Sequence, residues 1–106
     1  MGATRKAVLL NAATTTGAGS SGGPAPSGRK SFHAVLTGTG AVSAVMEVQG
    51  SNDNSNWGVL AVLSPSGTTT AAAQVELEAS WLYYRGNVVS ISGTGAAITV
   101  TVGEQV

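Results

Sequence analysis

Residues able to perform acid–base or nucleophilic catalysis are few in this chain. The sequence has one histidine, His33, and no cysteine. Glu76 and Glu78 stand two residues apart, so a strand would present both on one face. Two such carboxylates are typical of a solvated surface that discourages edge-to-edge pairing. A triad built from His33, Asp53 and a serine would need a nucleophile-elbow motif, which the sequence lacks. We therefore predict a protein that is not an enzyme and holds no cofactor.

Two glycine-rich cassettes raise the possibility of a phosphate-binding loop. They read LTGTGAVSAV at 36–45 and ISGTGAAITV at 91–100. A P-loop requires a lysine after the last glycine, and a dinucleotide loop requires a third glycine and a helix. A β-like run follows both cassettes instead. We interpret them as two tight corners with the same turn chemistry, with a bulge as a further possibility, in which glycines adopt positive φ.

The segment SNDNSNW at 51–57 has alternating Asp and Asn oxygens that could bind Ca²⁺. Only Asp53 is charged, however, and no acidic residue closes the loop as calcium loops require. Asp, Asn and Ser also bond their own backbone in tight turns. We therefore predict an Asx-type turn with Trp57 packed at its base, and no metal site.

Basic and aromatic side chains are the candidates for contact with a partner. The first thirty residues have a net charge of +4, and residues 31–106 have a net charge of −4. The basic segment could bind an acidic neighbour or be scattered surface charge, and it is too sparse for nucleic acid. The aromatic residues could form a contact patch, a sugar-stacking platform or part of the core. The partner-binding candidates are Arg5, Lys6, Arg29, Lys30, Trp57, Trp81, Tyr83 and Arg85.

These side chains must be positioned by strands, because alternating apolar and polar residues recur and helical periodicity is nearly absent. About seven short strands separated by turn residues predict an all-β fold, a single antiparallel β-sandwich or jelly-roll-like barrel. The runs are 7–13, 32–37, 41–49, 57–63, 74–79, 81–92 and 98–102, with a hairpin over 41–63 and a bend near Gly86 and Asn87. The run WGVLAVL is apolar on both faces, which indicates a central strand or a contact surface.

The chain divides by composition into two parts. Residues 1–30 contain a short strand and then a Gly/Ser/Pro-rich loop or flexible basic arm over 14–30, and residues 31–106 form the β-sandwich body. We expect the arm to clamp onto a larger scaffold, so that deleting residues 1–30 weakens binding and leaves the body folded. Large apolar residues are few and disulfides are impossible, so the domain is expected to need a partner. No run approaches the ~20 apolar residues of a membrane span.

The stretches RKAVLLNAATTTGAG, SNDNSNW and WLYYRGNVVSISGTGAAITVTVG resemble small virion proteins of tailed bacteriophages. The resemblance implies a capsid decoration (cement) protein, made in the host cytoplasm and located on the outer surface of the phage head. It implies the major capsid protein and copies of itself as partners, with a homotrimer favoured over a dimer, and neither nucleic acid nor membrane.

Two other roles remain open. The stretch EVQGSNDNSNW at 47–57 looks locally like discoidin-type carbohydrate-binding β-sandwiches. A head-fibre or tail accessory protein of the same virion class is the other alternative.

Overall fold

The computed structural model describes residues 4–19, 28–79 and 81–105, and every element within them is a strand. The strands are β1 (Thr4–Ala13), β2 (Gly17–Ala18), β3 (Gly28–Ser51), β4 (Gly58–Leu63), β5 (Ser66–Ala79) and β6 (Tyr83–Gln105). All pairs between them are antiparallel. The predicted all-β class is confirmed.

The two long strands β3 and β6 form the centre of the sheet. They pair with each other from Lys30 opposite Glu104 to Ser51 opposite Tyr83. β1 and β2 lie on the far side of β6, and β4 and β5 share the far side of β3. The hydrogen bonds thus form one open six-stranded sheet. This pairing confirms neither two separate sheets nor a closed barrel.

The sheet folds back over its own inner face. The rings of Phe32 and Tyr84 lie 5.9 Å apart, although Tyr84 is opposite Gly50. Phe32 and Gly50 are eighteen residues apart on β3, which would span about 60 Å in a straight strand. The whole molecule extends only 40 Å in its longest direction. Both ends of β3 therefore face one core.

The fold divides the sheet into two halves. We call residues 28–37 of β3, 97–105 of β6, 70–79 of β5 and β1 the first half. The second half consists of residues 41–51 of β3, 83–92 of β6, β2, β4 and 66–68 of β5. Their shared core consists of Leu9, Leu10, Phe32, Ala34, Leu36, Val42, Ala44, Met46, Val48, Leu63, Tyr84, Val88, Ala96, Ile98, Val100 and Val102.

The two glycine cassettes lie opposite each other at this fold. Thr39 is the register partner of Thr94, and the register is irregular on both sides of that pair. Six of the seven described positive-φ residues lie where strands cross between the halves: Ala12, Gly17, Gly40, Thr69, Gly93 and Gly95. The predicted turn chemistry is present, but as bends inside continuous strands. This explains why runs 32–37 and 41–49 are one strand, as are 81–92 and 98–102.

Several local expectations need correction. Gly86 and Asn87 pair regularly with Val48 and Glu47, and the irregularity lies at Val89, between the pairs Val45–Ser90 and Met46–Val88. Residues 66–73, which lie between two of the predicted runs, belong to β5. β4 lies at an end of the strand order rather than in a central position. The predicted hairpin over 41–63 is confirmed by the β3–β4 pairing.

The first thirty residues are not set apart from the sheet where the structure describes them. β1 pairs with β6, and Leu9 and Leu10 are buried in the core. The boundary expected between residues 30 and 31 falls inside β3. The part of the expected arm at 20–27 lies outside the described residues.

Candidate functional site

The outer face of the second half presents a group of polar side chains that are bonded to one another. Met46 and Val48 point into the core, so alternation directs Glu47 and Gln49 outward. Their register partners on β6 are Asn87 and Arg85. On the other side, Val62 is opposite Glu47 and Val59 is opposite Gln49. We call this surface, made by β4, 43–51 and 83–92, the outer face.

A row of hydrogen bonds connects its polar groups. Asn87 donates from Nδ2 to Glu47 Oε1 at 3.1 Å, and Gln49 donates from Nε2 to the same oxygen at 3.0 Å. Arg85 donates from Nε to Gln49 Oε1 at 2.7 Å. Gln49 is buried although it faces outward. The row thus satisfies polar groups that are partly shielded from water, which would otherwise destabilise the fold.

Trp57 covers one end of this row. The Arg85 guanidinium carbon lies 4.4 Å from the centre of a Trp57 ring, a distance at which the cation is attracted to the ring face. One face of the indole is therefore occupied by a side chain of the same molecule. Trp57 and Arg85, both partner-binding candidates, are brought together here.

The turn before Trp57 is organised by Asp53. Its Oδ1 accepts hydrogen bonds from the backbone N–H groups of Ser55 and Asn56, at 2.9 and 2.8 Å, and from the Ser51 hydroxyl at 2.9 Å. Its Oδ2 accepts from Asn56 Nδ2 at 2.6 Å. The Asn56 backbone bond is the main cause that holds the pKa of Asp53 well below its usual range, with the other bonds adding to it. The predicted Asx-type turn is thus observed.

Trp81 and Tyr83 lie near the same end of the sheet but do not join the Trp57–Arg85 pair. Trp81 packs over Gly50, where a Cβ would lie 2.9 Å from the indole Cγ. Its backbone N–H donates to the Tyr84 hydroxyl at 3.1 Å. Tyr83 is half-buried opposite Ser51. The structure therefore places the aromatic candidates in separate packing environments.

Lys30 is a basic candidate whose environment differs from the one expected. Its side chain is only 1% exposed, and its Nζ lies 5.2 Å from the centre of the Tyr84 ring. Alternation along β3 places Lys30 on the same face as the buried Phe32. This burial does not fit the contact with an external partner that we expected for Lys30.

The other basic candidates of the N-terminal segment are described by their backbone positions. Arg5 is opposite Glu104, and Arg29 is opposite Glu78. Lys6 is opposite Gly103. The backbone at these positions is therefore paired with β5 and β6 of the same chain.

Exposed valines are the surface feature that residue-by-residue sequence reasoning missed. Val59 and Val62 on β4 are 53% and 55% exposed, and Val89 on β6 is also exposed. The run WGVLAVL indicated this feature, because it is apolar on both faces and a contact surface was one of its two interpretations. The outer face thus combines a self-contained polar row with apolar residues on both sides.

Residues considered for catalysis are placed apart from this surface or within the turn. His33 is exposed on the first half, opposite Gln74 and Thr101. Among the described residues, no group of three or more His, Cys, Asp or Glu is arranged to hold a metal ion. Within the same ranges, no helix is long and apolar enough to cross a membrane.

Comparison with known proteins finds a similar fold. Neither the protein-family models nor the curated proteins give a match. Among solved structures, the chain is similar to the crystal structure of SPBc2 prophage-derived protein YomS, with a TM-score of 0.66 and 15% sequence identity. The match covers 97% of this chain and 93% of the other, so the whole fold is shared with a prophage-derived protein.

Proposed function

We propose that this chain is a non-enzymatic structural protein of a bacteriophage particle, specifically a capsid decoration (cement) protein. In this role it binds the outer surface of the phage head and copies of itself, and it stabilises the shell. The observation that carries the proposal is the fold shared over nearly the whole length with a prophage-derived protein. The resemblance of its sequence to small virion proteins gives independent support.

The hydrogen bonding of the polar groups on the outer face also favours a role in binding rather than catalysis. Glu47, Gln49, Arg85 and Asn87 are bonded to one another, and the Asp53 carboxylate is bonded to its own turn. A surface that adheres to a scaffold needs shape and apolar area rather than reactive groups. The geometry thus suits association better than chemistry on a small substrate.

The exposed valines supply apolar area for such a contact. Val59, Val62 and Val89 are each about half exposed. Burying apolar surface contributes roughly 25 cal/mol per Å², before the cost of association is subtracted. We propose that the outer face is the surface that meets the shell, with Val89 near its β6 side.

The test uses particles of the phage that encodes this chain and particles, called deleted heads, of the same phage after deletion of the gene for this chain. We expect mass spectrometry to find the protein in purified heads. Purified protein added to the deleted heads should co-sediment with them and raise the temperature at which they release DNA. Val89→Lys should weaken this binding, and Val8→Lys, an equally exposed valine on β1, should not. Absence of the protein from purified particles would contradict the proposal.

The alternative roles predict different results. A tail or head-fibre accessory protein would be found in particles but would not bind isolated deleted heads. A carbohydrate-binding module would be absent from particles, and its melting temperature would rise with a bound sugar.

A further inference from the structure

We propose that the outer edge of β4 pairs antiparallel with β4 of a second copy of this chain, about a two-fold axis. The inference rests on the proposed function only for the expectation that the chain binds copies of itself. It adds the surface of that contact, the β4 edge, and its two-fold symmetry.

The edge strands differ in their protection against pairing. Strand edges carry unpaired backbone groups, and proteins usually protect them with charged residues or proline. β1 has Arg5 and Lys6 in its sequence, and β5 has Glu76 and Glu78. β4 reads GVLAVL and has neither charge nor proline. Of these three strands, β4 alone has no charged residue, although its register with β3 is irregular between Val59 and Ala61.

β4 is also held in a position suited to pairing. Its inner edge is bonded to β3 from Met46–Leu63 to Gly50–Gly58. Leu63 is buried in the core and anchors the strand, whereas Val59 and Val62 are 53% and 55% exposed. Within the described residues, β3 is the only strand with which β4 pairs. Its outer edge therefore offers backbone donors and acceptors beside apolar side chains.

We infer that the partner of the β4 edge is a second copy of the chain, because two uncharged edges can pair without repulsion between like charges. Antiparallel pairing of two identical strands has two-fold symmetry, so each copy supplies the same surface. If all six residues of β4 overlap, the axis passes between Leu60 and Ala61. Val59 of each copy then lies opposite Val62 of the other. The uncharged edge has no charge pattern that would select an acidic or a basic partner.

The size of the contact sets the expected strength. Six residues of strand extend about 20 Å, so the pair is smaller than a standard stable interface. We expect a reversible dimer in solution, and stronger association where many copies are held close together on one particle. The trimer favoured by the sequence resemblance is not the product of this edge.

The test is the oligomeric state of the purified full chain, measured by sedimentation equilibrium from roughly 10 μM to 1 mM, a range chosen for weak association. The wild-type chain should form a dimer reversibly. Val62→Lys should weaken the dimer by at least about tenfold, because a lysine on an edge strand opposes pairing with another strand. Val8→Lys, the matched change at an equally exposed valine on β1, should leave the dimer intact. Circular dichroism checks that each variant is folded.

A compensating variant tests the register. Val59→Glu combined with Val62→Lys should restore the dimer, because each introduced carboxylate would face an introduced ammonium of the other copy. A wild-type monomer or trimer, or a dimer indifferent to Val62→Lys, would overturn the inference. Particle binding is measured separately with the wild-type chain: heads that bind a chain found to be monomeric in solution uphold the decoration role alone, and a wild-type dimer that does not bind heads upholds only the pairing of the β4 edges.

Discussion

At the scale of single residues, charged side chains that could bind a ligand or a partner instead stabilise the fold. Asp53 was a possible calcium ligand in the sequence, yet its two oxygens accept four hydrogen bonds from Ser51, Ser55 and Asn56. Lys30 was a possible surface contact, yet it lies buried over the Tyr84 ring. A residue type in this chain therefore indicates little about role until its neighbours are known.

The lowered pKa of Asp53 predicts a dependence of stability on pH. A carboxyl whose pKa is lower in the folded state adds stability above its unfolded pKa, about 3.9, and this stability is lost as the pH falls below that value. We expect Asp53→Ala to lower the urea midpoint at pH 7 and to lessen its decline between about pH 4 and 2.

Asp53→Asn is the matched control, because it keeps an acceptor at Oδ1 but loses the charge. Its urea midpoint at pH 7 should lie between those of the wild type and Asp53→Ala. An Asp53→Ala protein with wild-type stability and wild-type pH dependence would show that the turn does not depend on this carboxylate.

At the scale of elements, the bends in β3 and β6 create the shared core. Both bends use glycines at positive φ, and the two cassettes meet at the pair Thr39–Thr94. Gly93 has φ of +124°, and a Cβ there would lie 2.8 Å from the Ala41 carbonyl oxygen. Gly40 has φ of +72° with open space around it. Backbone strain and crowding therefore act together at Gly93, but strain acts alone at Gly40.

Alanine substitutions should separate these two effects. We expect Gly93→Ala to reduce the free energy of unfolding by at least about 2 kcal/mol and Gly40→Ala by about 1 kcal/mol. Gly58→Ala, at a site with open space and no positive φ, is the control and should change it little. Chemical denaturation measures all three. Equal stability of the Gly93→Ala and Gly58→Ala proteins would contradict the assigned role of the bend.

At the scale of the whole molecule, the N-terminal segment is part of the folded core. Leu9 and Leu10 of β1 are buried among residues from both halves of the sheet, and Leu10 would contact a Cβ placed at Gly86. Removing residues 1–30 therefore removes a strand of the sheet along with any arm. The expectation that the body would stay folded after this deletion does not fit the observed pairing of β1.

Paired substitutions in β1 test this integration. Leu10 is 5% exposed and Val8 is 50% exposed, two residues away on the same strand. We expect Leu10→Ala to reduce the free energy of unfolding by about 2–4 kcal/mol, because it leaves a cavity in the core. Val8→Ala should change it by less than about 1 kcal/mol. Similar small losses for both variants would mean that β1 is only loosely attached to the rest of the sheet.

The sequence by itself determined the strand content and the local geometry. In the predicted run 98–102, Ile98, Val100 and Val102 alternate with two threonines, and all three apolar residues are buried. The Asn-rich segment indicated the turn of the β3–β4 hairpin, and the cassettes indicated positive φ. These features depend on neighbouring residues, so a short stretch of sequence contains the information that sets them.

Only the tertiary structure decided which strands meet. It paired two cassettes more than fifty residues apart, placed β4 at an edge, buried Lys30 and paired the N-terminal strand with β6. Each of these outcomes depends on the register between distant strands, and a shift of one residue would reverse every face. Register is selected by the packing of the whole sheet against one core, which no single segment determines.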